Sequence, residues 1–567
     1  MSETGDRITR VYGNFRGVDF RGEEINIRRS PDSLNVWKDY KETESIRTRP
    51  GLALDVSFPA PIYGIFFYGG YKMVHSGKKL YKVTAGGQKT ILLDGLTEAP
   101  SAAFTFEGMW YFKDGKHYLQ YDGETLSNVA GHIPTTSIGR KPAGGGSIYE
   151  DVNMLSDYRK NTFLADGESF DYYLDTKNID SDYTPVVTVD DSPVTAFTVD
   201  YGAGVIKFTK APSAPLTVGR DNVEITFKKA VSQKVGSKTL RYCDIVLNCT
   251  LLQVFDNRVF ISGNPDFPNT VWHCSLNDPT YFSDLDYYRE GIDSAAVKGL
   301  VAGNNALWVF REPSDANTTV FYHTPTIDSE YGKIYPSTHS SITTGCVGCA
   351  VNFNDDIIFF SDRGMEGISG DVTTEQAVAH RSSLVDRKLI AEKDYRSMVT
   401  AEWEGYLLVF IGDKVYLADS RTAFTNENHI EYEWFYWQFD KKVTCTAVKD
   451  GVLYLGTADG VYTLTDTEAV MESYWVTPKD KFSAANKLKT TNKRGCVVEA
   501  TGDITLYAKV EDTGFERVDS YEGVTDAFVP RIKRKKFKDI QLKFHSDTRF
   551  SLETATLECF IGGYIKR

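Results

Sequence analysis

Apolar residues along this chain fall on alternating positions in short runs that end at Gly, Asn, Asp or Pro, the pattern of strands buried on one face. One unit recurs: a short apolar strand, a two-residue polar turn, then a strand rich in aromatic and β-branched side chains. Seven copies can be read, with turns at 69, 107, 256, 304, 354, 404 and 450. Gly, Asn and Asp tolerate the positive φ of tight hairpin turns, so pairs such as Asp450-Gly451 and Asp114-Gly115 are expected to join antiparallel strands. The intervals between turns are 38, 149, 48, 50, 50 and 46 residues. A period of roughly 40 to 50 residues is that of the four-stranded blades of a β-propeller. The long interval equals one period plus about 100 residues, which places an inserted domain between the second and third copies.

The expected fold is therefore all-β: a roughly seven-bladed β-propeller with an inserted β-sandwich domain and a C-terminal β-sandwich domain. Residues 1–60 form an extended segment that closes or braces the propeller, 61–138 and 241–470 carry the blades, 139–240 the insertion and 471–567 the last domain. The linker PAGGGS at 142–147 and the strand-like TPVVTVDD, TAFTVDYGAGVIKFTKAP and NVEITFKK support the insertion. Helices are expected only near 30–37 and within 373–397, where Glu375 to Lys393 could cover the surface between two blades.

Composition changes this picture little. The 33 Tyr and 33 Phe favour aromatic-rich strands. A formal charge of −13 argues against affinity built on phosphate neutralisation, though not against a surface that DNA slides past. The first ten residues are polar and lack the core of a signal peptide, and no apolar run approaches a membrane span, so a cytoplasmic chain is expected. The eight Cys are scattered, and Cys346 with Cys349 lacks the further ligands that zinc requires, so reduced thiols and no metal site are expected.

Three stretches resemble the tail hub and nozzle proteins of tailed bacteriophages. They are FRGVDFRGEEINIRRSPDSLNVWKDYKETESIRTRPGLAL, which closes on Arg49 to Leu52; FDNRVFISGNPDFPNTVWHCSLNDPTYFSDLDYY at 255–288; and the run from YWVTPKDKF at 474 to the C-terminus, including VPRIKRKKFKDIQLKF. The resemblance implies a virion structural protein that assembles in the host bacterial cytoplasm. It also implies a homo-oligomeric, hexameric ring below the portal and adaptor, continuing the DNA channel without sequence-specific binding and helping to retain and eject the genome. A host-receptor or glycan-binding propeller is the alternative, and a propeller glycoside hydrolase a more remote one.

No catalytic or cofactor motif stands out. The Ser361-Asp362-Arg363-Gly364 sequence superficially matches a sialidase turn, but it occurs once, lacks the following Thr-Trp and reads as a polar turn. His273 beside Cys274 is the nearest approach to a nucleophile pair, yet neighbours on a strand point to opposite faces. The expectation is a non-enzymatic chain without cofactor. One local reversal of charge remains: Arg531, Lys533, Arg534, Lys535, Lys536 and Lys538, six cations within eight positions. It is either a solvated edge or a docking surface for an acidic neighbour, with Lys533, Lys535 and the Phe537 ring sharing one face of a strand.

Overall fold

The computed structural model describes residues 6–39, 44–315, 318–329, 332–368, 377–426, 429–466, 471–533 and 536–565. It is almost entirely β and divides into two compact units, 1–91 with 344–567, and 92–343. No helix among the described residues is long and apolar enough to cross a membrane.

The repeat becomes four-stranded antiparallel meanders, the blades of a β-propeller. The first unit carries the first blade (Ile62–Tyr68, Tyr71–Ser76, Lys79–Val83, Lys89–Asp94) and the fifth (Ala350–Phe353, Asp356–Ser361, Gly364–Ile368, Val378–His380). It also carries the sixth (Val399–Trp403, Tyr406–Ile411, Lys414–Asn426, His429–Gln438) and the seventh (Cys445–Lys449, Val452–Gly456, Gly460–Thr465). The fourth strand of the seventh blade is Gly51–Ser57, brought from the N-terminal segment. The second unit carries the second to fourth blades, beginning at Ala102, Leu251 and Val297.

Every inner hairpin of the seven turns on two residues with positive φ: Gly69-Gly70, Glu107-Gly108, Asp256-Asn257, Asn304-Asn305, Asn354-Asp355, Glu404-Gly405 and Asp450-Gly451. Two left-handed residues in succession give a turn whose twist matches that of the strands it joins. Asp114-Gly115 differs. It opens a four-residue loop between Lys113 and Tyr118, and the Asp114 carboxylate accepts the backbone N–H groups of Thr97, Lys116 and His117.

The insertion begins earlier than residue 139, because strand Thr135–Arg140 already belongs to its six-stranded sheet, parallel to Tyr158–Phe163. A three-stranded sheet (Asp171–Tyr173, Phe197–Asp200, Val205–Phe208) packs with it around Phe163, Tyr172, Ile206, Ile225 and Phe227. Hairpin Ser232–Arg241 and helix Tyr242–Leu247 lead back to the third blade, and Ile245 and Val246 enter its core.

The boundary drawn at 471 does not correspond to a break in the sheet. The outer strand of the sixth blade pairs with Val36–Trp37, which pairs with Ile46–Thr48, which pairs with the last strand, Phe550–Tyr564. That strand joins Lys487–Val510, so fifteen strands form one hydrogen-bonded network. Trp37, Trp437, Trp475, Leu506, Phe544 and Leu557 share its core. The helix expected near 30–37 is instead two short strands, Ser33–Leu34 and Val36–Trp37. Of 373–397, residues 373–376 lie outside the described residues, and the rest holds the blade strand Val378–His380, a helical turn at Asp386–Leu389 and a 3-10 turn at Tyr395–Ser397. Ser382 opens the helical turn, its carbonyl accepting the Val385 and Asp386 N–H groups and its hydroxyl donating to Asp386, while Ser383 donates to Glu431.

Asn35 and Arg49 lock this network. Asn35 sits at φ 56°. Its side-chain oxygen accepts Arg49 Nε and the Gln438 N–H, both at 2.8 Å, and its amide donates to the Glu472 carbonyl. The Arg49 guanidinium also donates to the carbonyls of Pro50 and Gln438 and lies 4.4 Å from the Phe439 ring. Burial pulls its pKa down to about 9, and these bonds offset the desolvation.

Arg49→Met should cost about 3 kcal/mol, since each buried acceptor left without a donor costs roughly 1–3 kcal/mol. A shift in urea midpoint below a third of that size would refute the lock. A methyl group on Gly451 would meet nothing within 4 Å, but the backbone there sits at φ 78°, so Gly451→Ala should cost about 1 kcal/mol for conformation alone. The same urea titration measures it.

Candidate functional site

The basic run lies where the C-terminal strands meet an edge. Arg534 and Lys535 lie outside the described residues. Arg531, Lys533, Lys536 and Lys538 are exposed, whereas Ile532 and Phe537 are buried. Phe537 belongs to the core and pairs across from Lys489, so it does not share a face with exposed lysines as the alternation implied. Inward positions 532 and 537 are five residues apart, an odd number, so the alternation of faces breaks between them.

Arg531 and Lys533 border a narrow cleft of about 50 Å³. Its floor is Val510, Val518, Ile532 and Ile540, continuous with the main core. Arg517 enters from the neighbouring strand Glu516–Val524, a residue the sequence pattern does not single out. Arg517 stands fourteen positions before Arg531, and only the register of that strand on Lys487–Val510 brings it near. Glu516 also lines the cleft, so the described lining carries three cations and one carboxylate.

Partnering separates these cations from others nearby. Lys479 and Lys509 pair with Glu23, and Lys481 with Glu24. The Arg517, Arg531 and Lys533 side chains have no ion pair or hydrogen bond to described residues. Main-chain atoms do tie the segment down, through Arg531 N–H to Asp519 and Thr491 Oγ1 to the Lys533 carbonyl. Among the described residues strand Glu516–Val524 has a ladder only with Lys487–Val510, and segment 529–531 meets it through side chains, Tyr521 donating to the Val529 carbonyl.

The residues weighed for chemistry have other roles. Ser361 and Gly364 face each other across the turn that carries Asp362 and Arg363. Beyond it, His380 lies between Glu366, 3.2 Å away, and Asp386, 2.5 Å away, and Ser382 donates to Asp386 at 2.6 Å. Burial alone would lower the His380 pKa, but hydrogen bonds to Asp386 and Glu366 outweigh it and hold the imidazolium to about 10. Such a ring is a poor base at neutral pH. His273 is the reverse: burial pushes its pKa down to about 4, and its Nδ1 donates to the Cys274 carbonyl. Burial pushes the Cys274 thiol up to about 12, and its sulfur accepts the Val259 N–H within another core cluster. Buried thiols of this kind are unreactive. Cys346 donates to the Cys349 carbonyl at 3.5 Å, and burial holds Cys349 near 12 as well. Among the described residues no three His, Cys, Asp or Glu side chains are grouped to hold a metal ion.

No protein-family model matches the chain, and no curated protein matches it. Solved structures do. BamB from Moraxella catarrhalis is similar at 10% identity over 79% of this chain and 97% of its own, with a TM-score of 0.35. PorZ of Porphyromonas gingivalis matches at 11% identity over 90% and 81%, with a TM-score of 0.25, and Hsv2p of Kluyveromyces lactis at 8% over 67% and 98%, also 0.25.

The His380 cluster sets a pH dependence. Its folded pKa lies above the unfolded value, so its stabilisation is complete below about pH 6.5 and is lost as pH rises through about 10. The melting temperature of the wild type should fall over that window more than that of His380→Gln. Parallel curves would show that the two carboxylates do not hold a charged ring.

Proposed function

We propose that this chain is a structural, non-enzymatic component of a phage tail, of hub or nozzle type. In this reading copies assemble into a ring in the tail, next to the portal or adaptor, through which DNA passes without sequence-specific contact. One observation supports it most: the N-terminal and C-terminal stretches that resemble such proteins are interlocked, through Asn35, Arg49 and the strand pairs of the fifteen-stranded sheet. Both resembling segments are thus part of one hydrogen-bonded sheet. The acidic balance of the chain fits a surface that repels phosphates and lets DNA slide.

The test is localisation. Tailed particles purified from the cells that make this chain should contain it in several copies by mass spectrometry, and antibodies to it should label the tail in electron micrographs. Recovery of the chain only outside particles would overturn the reading.

A further inference from the structure

The cleft lined by Arg517, Arg531 and Lys533 is built from this chain's own core, and its three cations face one lining carboxylate, Glu516, with Asp519 beside Arg531, which leaves an excess of positive charge at its mouth. A matching surface occurs in the second unit. There Leu285, 66% exposed, stands between Asp284 and Asp286 at the outer end of the third blade. The corner is rigid: Met154 N–H bonds the Phe282 carbonyl, Asp284 N–H bonds the Val152 carbonyl, and Asn153 Oδ1 accepts the Phe282 N–H.

We propose that this cleft receives the Asp284–Leu285–Asp286 corner of a second copy of the chain, Leu285 on the apolar floor and the two carboxylates against the cations. This deepens the reading above and rests on it for the ring.

Three observations converge on that occupant. An exposed leucine between two acids is the inverse of an apolar floor between three cations, and such complementarity fixes register and suppresses wrong partners. The chain carries 77 acidic against 64 basic residues, so copies repel one another unless a local basic surface meets an acidic one. Burial raises the pKa of both carboxylates, that of Asp286 to about 6; Asp151 adds to each, while Arg159 draws Asp284 down and Arg258 Asp286. A cation from outside would relieve that strain. Because the two surfaces differ, the contact is head to tail, the kind that generates a ring where its rotation closes.

The experiment uses the full chain, with sizing by light scattering and thermal unfolding of each variant. Arg517→Glu with Lys533→Glu should abolish the oligomer while leaving subunit unfolding within a degree or two, and Leu285→Ser should raise the dissociation constant at least tenfold. Adding Asp284→Arg to the Arg517→Glu, Lys533→Glu chain should restore assembly. An oligomer unchanged in the first two variants overturns the proposal and leaves the tail reading standing. A monomeric wild type that is nonetheless present in tailed particles does the same. Loss of DNA binding in Arg517→Glu, Lys533→Glu with assembly intact would assign the cleft to nucleic acid and also overturn it. An oligomer that depends on the cleft, in a chain absent from particles, would sustain the contact and refute the tail reading.

Discussion

The junction at Asn35 is the constraint on which the first unit depends. Its single side chain reaches the sixth blade at Gln438, the N-terminal segment at Arg49 and the C-terminal strands at Glu472. An asparagine tolerates the left-handed backbone there, and its amide offers both donor and acceptor. A charged guanidinium is buried beside it because every carbonyl around that group needs a donor. The fifteen-stranded sheet follows, since Val36–Trp37 and Ile46–Thr48 can bridge the blade and the C-terminal strands only while their connection is held in place.

Much of the fold was legible in the sequence because turn chemistry is local. Gly, Asn or Asp fills at least one central position of each of the seven recurring turns, with Glu107 and Glu404 drawn into the same conformation beside a glycine, and all seven adopt the required backbone. The Asp114 loop was not readable in the same way. Its carboxylate accepts the N–H groups of Lys116 and His117, which widens the turn to four residues, and also that of Thr97, a residue of another segment. The helices failed for a related reason. Residues 33–37 are claimed by partners hundreds of positions away at Tyr474 and Tyr436, and tertiary pairing outweighs local preference.

The candidate site was half legible. Six cations in eight positions announce themselves in any chain of opposite net charge. Their facing did not, because alternation predicts direction only along an unbroken strand, and here Ile532 and Phe537 both turn inward. Arg517 could not be found at all, for its place depends on a register that shifts between Leu506 and Tyr507. The His380 cluster shows the same limit: Glu366, His380 and Asp386 lie on three separate elements and meet only in the folded blade.

The pairing of Gly51–Ser57 with Gly460–Thr465, and of Arg7–Gly13 with Phe550–Tyr564, has a kinetic meaning. A ribosome adding roughly 5–20 residues per second needs about 20–80 seconds to bring the first of these partners out after its mate. Throughout that time the early strands present bare edges, the template on which chains aggregate. The polar ends of those strands and the prompt local closure of each blade's hairpin reduce that hazard while synthesis continues. A chain cut short anywhere before its final strand lacks the pairing for residues near its start. A copy without Phe550–Tyr564 leaves Arg7–Gly13, Ile46–Thr48 and Lys487–Val510 each short of the strand they bond, so the first unit closes only after that strand is made.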